Sequence, residues 1–142
     1  MDNKKIAISG ASGLIGRAIS ARLTLENYKI LSLVRQSAGV ASDRIYWDYQ
    51  KQQIESSKLE DLEAVVHLAG ESIMGLRWTK AKKQRIRQSR VEGTRFLCEN
   101  LARLKQPPKV LLCASAIGFY GDRGAEFLTE DSPVGKSFFC VH

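Results

Sequence analysis

Residues 10–16 read Gly-Ala-Ser-Gly-Leu-Ile-Gly, three glycines at even spacing. The run from Lys4 to Ser9 before them is short and apolar, the pattern of a buried strand broken by Gly10. Ile15, Ala18, Ile19 and Leu23 follow at helical spacing. A strand that turns on a glycine and re-enters at once as a helix commits the chain to a strand–turn–helix unit. Such a unit is stable only as part of a larger layered sheet.

The rest of the chain supplies that sheet. Lys29 to Val34, Arg44 to Asp48, Ala64 to Leu68 and Val110 to Ala114 read as further strands, the last announced by the helix-stopping pair Pro107 and Pro108. Leu59 to Leu62 predicts a brief helix, and the longest helical pattern runs from about Thr79 to Leu104. In that pattern Ile86, Arg90, Gly93, Leu97, Leu101 and Leu104 step by three or four and define the expected inward face. Strands alternating with helices predict an α/β fold with a parallel, doubly wound sheet of Rossmann type, covered on both faces. The 142 residues suffice for one domain, 1–142, with neither an internal repeat nor a linker.

Composition excludes several classes. With 44% apolar and 26% charged residues and only 3 prolines, the chain is neither disordered nor collagen-like. No apolar run approaches the ~18 residues of a membrane span, and Met1 to Lys5 lead directly into a strand without the pattern of a secretory signal, so a cytoplasmic location and no membrane partner are expected. Cys98, Cys113 and Cys140 are odd in number and far apart, two of them in apolar runs where a reduced thiol acts as a small hydrophobe. With only His67 and His142 as imidazoles, no metal site is expected. The net charge of +7 has one source: Arg77, Lys80, Lys82, Lys83, Arg85, Arg87 and Arg90 come without an intervening acid. A basic stripe attracts nucleic-acid phosphates, but the only aromatic interleaved here is Trp78, and a solvated helix face is the simpler reading.

The turn itself points to a ligand. After a strand and at a helix start, its backbone N–H groups and the helix's positive end suit a pyrophosphate, and glycines permit the close approach. The spacing Gly-x-x-Gly-x-x-Gly is one residue wider than the commonest dinucleotide fingerprint. The acid that would grip a ribose 2′-hydroxyl belongs about 20 residues past the turn, where the sequence has Val34-Arg35-Gln36. A guanidinium there suits the extra phosphate of NADP, which a carboxylate would repel; the alternative is a solvated arginine at a strand end. Arg17 is a weaker second candidate, more simply an exposed helix residue.

Four blocks carry a family resemblance. The glycine turn, His67-Leu68-Ala69-Gly70, Gly93-Thr94 and Ser115 to Gly121 (Ser-Ala-Ile-Gly-Phe-Tyr-Gly) together resemble the extended short-chain dehydrogenases, the NAD-dependent epimerase/dehydratase superfamily. Leu68 to Ile73, Arg77-Trp78-Thr79, Ser89 to Thr94 and Thr129 to Pro133 are similar to its NADP-binding "epimerase family" subgroup, often labelled SulA-like cell-division inhibitors. Such proteins run to about twice this length and end in a substrate domain, so the resemblance implies the cofactor half only, truncated before that domain. It implies NADP(H) as cofactor and an oxidoreductase-like role on an unidentified small carbonyl or sugar-derived substrate. The alternative it implies is a non-catalytic NADP-binding regulator or scaffold connected with cell division. The expected cofactor contacts are Gly10, Ser12, Gly13, Leu14, Ile15 and Gly16 in the turn, Val34 and Arg35 at the end of the second strand, and Leu68, Ala69 and Gly70 at the end of the fourth.

The superfamily's Tyr-x-x-x-Lys pair has no match, because none of Tyr28, Tyr46, Tyr49 and Tyr120 has Lys four residues later. The pair belongs near Phe138 to His142, which read Phe-Phe-Cys-Val-His. Ser115 is the candidate for the accompanying serine, equally a strand-end serine bound to backbone, and Tyr120 is a weak catalytic candidate better suited to packing beside the cofactor. Arg90 stands where the superfamily usually has Asn, and the resemblance implies a cofactor contact; the alternative is an ion pair with an acid such as Glu71. No turnover is expected of this chain, and the strand from Val110 is expected near an open sheet edge, where it favours self-association.

Overall fold

The computed structural model describes residues 4–36, 41–74 and 77–136. The strands are β1 (Lys5–Ser9), β2 (Lys29–Val34), β3 (Arg44–Asp48), β4 (Gln53–Ile54), β5 (Ala64–His67) and β6 (Val110–Cys113), and the α-helices are α1 (Leu14–Leu25) and α2 (Lys80–Ala102). They form one sheet of order β4-β3-β2-β1-β5-β6, parallel except for β4. The glycine turn thus leaves a central strand, at the point where the strand order reverses, the usual place for a ligand crevice in such sheets.

Alternation along the strands builds a core on each face. Ile6, Ile8 and Val66 point to one side, where Ile19 and Leu23 of α1 cover them. Ala7, Leu31, Leu33, Ile45, Trp47 and Val65 point to the other and meet Phe96, Leu97 and Leu101 of α2. Asn27 ends α1 with φ 62°: its N–H bonds Thr24 O and that of Tyr28 bonds Leu23 O, each at 3.1 Å, which satisfies the last carbonyls and sends the chain directly into β2. At the start of α2 the Thr79 hydroxyl accepts from Lys82 N–H at 3.2 Å. The first turn of α2 carries no acid. Glu71 supplies one from outside the helix, pairing with Lys82 at 3.0 Å and Arg85 at 3.5 Å.

Four expectations need correction. The sheet is not wholly parallel: β4 pairs antiparallel with β3 after a turn in which Gln52 has φ 54°, and two residues with one apolar side chain gave no strand period to read. The brief helix is a 3-10 turn over Ser56–Leu59, with Leu59 and Leu62 both buried. The inward face of α2 centres on Ile86, Ser89, Gly93, Phe96, Leu97 and Leu101, which leaves Arg90 at its exposed margin. Finally, the sheet is not covered on both faces throughout: β6 stands at an open edge as expected, but among the described residues it is apolar and uncovered, with Val110 47% and Leu112 57% exposed and Cys113 exposed as well. It is the last strand of the described sheet, with β5 on one side only.

Candidate functional site

The glycine turn is held by contacts that admit no side chain. Gly10 has φ 72°, and a Cβ on it would stand 3.1 Å from both the Ala69 nitrogen and the Leu68 carbonyl carbon. A Cβ on Gly16 would meet the Gly10 carbonyl oxygen and lie 2.7 Å from Ala11 Cα. Gly13 N–H donates to Gly10 O at 3.0 Å, and Gly13, extended, precedes α1 without a side-chain cap. No acid occupies the first turn of α1. The helix therefore offers its leading N–H groups and positive end to an acceptor from outside the chain.

Facing the turn, the end of β5 is locked by a buried polar chain that runs across the sheet. Ser9 Oγ accepts from the N–H groups of Leu68 and Ala69, both at 3.1 Å, and lies 2.7 Å from His67 Nδ1. A hydroxyl that accepts twice spends its one proton on the third partner, so Nδ1 is the acceptor and His67 carries its proton on Nε2. That nitrogen donates to Thr94 Oγ1 at 3.1 Å. Burial holds the imidazole below its ordinary pKa, which keeps it neutral. The relay ties β1, β5 and α2 together directly beneath Leu68-Ala69-Gly70.

Between these walls opens a cleft of about 670 Å³. Of the residues expected to contact a cofactor, Gly10, Ser12, Gly13, Val34, Arg35, Leu68, Ala69 and Gly70 line it. Leu14, Ile15 and Gly16 do not: Leu14 and Ile15 are exposed on the first turn of α1, and Gly16 is buried beneath the glycine loop. Arg90 reaches the rim over Gly70, its guanidinium carbon 3.2 Å from where a Cβ would stand. Its Nη1 donates to the Glu71 main-chain oxygen at 3.1 Å and to Ile86 O at 3.4 Å. The Glu71 carboxylate is engaged by Lys82 and Arg85 instead, and together they hold it below the usual carboxylate range.

Ser115 is exposed, and Tyr120 stacks edge-on against Phe119 at 5.2 Å; neither lines this cleft. Residues that sequence reasoning did not assign to a site also line it, Ser32, Gln36, Arg44, Trp47, Tyr49 and Ser89 among them. Trp47 and Tyr49 are buried with ring centroids 6.2 Å apart, and burial raises the Tyr49 pKa while the nearby Arg35 charge opposes that rise. Their only signal was an aromatic-rich third strand. Ser89 had none, yet its hydroxyl accepts from Glu71 N–H at 2.8 Å and donates to Ile86 O at 2.9 Å. Among the described residues no group of three His, Cys, Asp or Glu side chains could hold a metal ion, and no helix is long and apolar enough to cross a membrane.

Residues 6–138 match the sequence profile of the NAD dependent epimerase/dehydratase family. The chain belongs to that family. An epimerase family protein of Mycobacterium bovis is 35% identical over 140 residues, covering 99% of this chain and 46% of its own length. The epimerase family protein YfhF of Bacillus subtilis is 31% identical, with 96% and 46% covered. The chain thus spans about half the length of these curated relatives. Among solved structures it is similar to a nucleoside-diphosphate sugar epimerase from Corynebacterium glutamicum, with TM-score 0.79, 36% identity, and 98% of this chain and 28% of that one covered. It also superposes on the human epimerase family protein SDR39U1 (isoform 2) with NADPH, with TM-score 0.80 and 96% and 45% covered, at 24% identity that speaks for the fold alone. The epimerase/dehydratase family binds a nicotinamide dinucleotide, and the chemistry of this cleft fits one: free amides at one end, cations at the other, and no carboxylate among the described lining residues.

Proposed function

We propose that the cleft binds NADP(H) as the cofactor site of an epimerase/dehydratase-like oxidoreductase. The observation that carries the preference is Arg35, which lines the cleft at the end of β2 where a ribose-gripping acid would exclude a 2′-phosphate. In this reading the turn at Gly10, Ser12 and Gly13 and the leading amides of Leu14, Ile15 and Gly16 hold the pyrophosphate. Val34 walls the adenosine and Arg35 takes its 2′-phosphate. Leu68, Ala69 and Gly70, fixed by Ser9, floor the far end, where the Arg90 guanidinium supplies a further donor. The bound nicotinamide would supply hydride transfer to or from a small carbonyl or sugar-derived substrate. That the human relative is described with NADPH supports the choice of cofactor.

A second reading, an NADP-binding regulator or scaffold without turnover, is favoured by one sequence fact: no tyrosine here is followed by a lysine four residues on. Steady NADPH oxidation with a small carbonyl compound, above the rate of cofactor alone, would reject it. For the main reading, calorimetric titration should give tighter binding of NADPH than NADH, and Arg35→Ala should remove about 1–3 kcal/mol of that preference. Equal or tighter binding of NADH by the unmutated chain would overturn it.

A further inference from the structure

Arg35 is not alone in the cleft. Arg44 opens β3, and the parallel register sets it opposite Ser32, two positions before Val34. One strand therefore brings an arginine to the cavity from its C-terminal end and its neighbour brings another from its N-terminal end, and both residues line the same cavity.

An arginine at a strand end has an easy alternative, which is to turn outward and pair with a surface acid. Lys4 and Lys109 do so with Glu63, and Lys58 with Glu55. Among the described residues neither Arg35 nor Arg44 forms an ion pair, and no acidic side chain lines the cavity. Two like charges facing one concave surface repel each other, and an anion between them removes that penalty. A phosphate monoester, with a charge near −2 and three acceptor oxygens, suits two guanidinium groups better than one.

We propose that Arg44 is the second cation of a 2′-phosphate site, so that β2 and β3 together set the preference for a 2′-phosphorylated adenosine. The proposal rests on the reading of this cleft as an NADP(H) site. Its chemical content is separate: Arg44 distinguishes ribose bearing a phosphate monoester from ribose bearing a hydroxyl, and contributes nothing to the pyrophosphate end.

Titration of the chain with 2′,5′-ADP and with 5′-ADP tests it without any turnover. Arg44→Gln should weaken 2′,5′-ADP about ten-fold and leave 5′-ADP unchanged, the loss expected for a charged hydrogen bond. Arg44→Glu should weaken it further, and Arg44→Lys should keep part of the affinity, since charge survives while the planar fork is lost. The salt dependence of 2′,5′-ADP binding should be shallower in Arg44→Gln. Arg44 is exposed, so thermal unfolding of these variants should match the unmutated chain. If Arg44→Gln retains the full preference for 2′,5′-ADP, or loses both ligands equally, the role of Arg44 is refuted while the NADP(H) reading stands on Arg35. If the unmutated chain binds the two ligands alike, both fall.

Discussion

Strands β5 and β6 lie side by side with similar composition, Ala-Val-Val-His against Val-Leu-Leu-Cys, and they have opposite fates. Val65, Val66 and His67 are buried, whereas every residue of β6 is exposed. β5 has β1 on one side and β6 on the other, with α1 packed over one face and α2 over the other; among the described residues β6 has a single neighbouring strand. Apolar composition therefore predicts that a segment will be a strand, and the neighbours on both flanks and both faces decide what that composition contributes to stability. The cleft belongs to the buried region: its turn, its floor and its polar relay are all fixed by packing.

The widest separation between the two regions should appear on truncation. Leu97, fully buried against the β2, β3 and β5 face, should cost about 2–5 kcal/mol as Leu97→Ala. Leu112→Ala on β6 should stay within about 0.5 kcal/mol, as at other exposed sites. Urea denaturation of both variants measures the contrast, and equal losses would mean that β6 is packed as tightly as the core.

Glycines offer a finer version. Gly16→Ala drives a methyl into the backbone of Gly10 and Ala11 and should cost about 1–3 kcal/mol while abolishing dinucleotide binding. Gly124, in the segment after β6, has φ 57° with open space around it, so Gly124→Ala should cost roughly 1 kcal/mol through backbone conformation alone and leave binding intact. Thermal unfolding with and without NADPH separates the two effects.

Much of this arrangement was legible in advance because it repeats locally. Five of the six strands, the start of α2 near Thr79, the turn from Gly10 to Gly16 and the cation at Arg35 are each written in a few consecutive residues. Residues that matter through their neighbours in space were not. Ser9 reads as the last residue of an apolar strand, yet it holds two amides of a segment some sixty positions away. Arg44, Trp47 and Tyr49 enter the cleft only because β3 pairs beside β2. Arg90 missed the centre of its helix face because the true stripe runs through Ser89 and Phe96, residues whose inward position depends on the bond to Glu71 and on the core beneath α2.

The smallest effect sharpens the comparison through pH. His67 is buried and neutral, with a pKa below its ordinary 6.5. Above that unfolded value its contribution to stability is complete, and as pH falls from about 6.5 toward the folded value the unfolded chain takes up a proton that the folded one resists, so stability is lost. Protonation would also leave Ser9 Oγ facing three donors, loosening the floor at Leu68 and Ala69. His67→Gln should flatten the dependence of the unfolding free energy on pH between about 5 and 7. An unchanged profile would assign that dependence elsewhere.

A crystal structure grown with NADPH addresses the cofactor site most directly. The pyrophosphate should lie against the amides following Gly10 and the 2′-phosphate within hydrogen-bonding distance of Arg35, with the nicotinamide end toward Gly70. Density for the cofactor elsewhere on the chain, or an adenosine 2′-phosphate pointing away from both Arg35 and Arg44, would contradict the account.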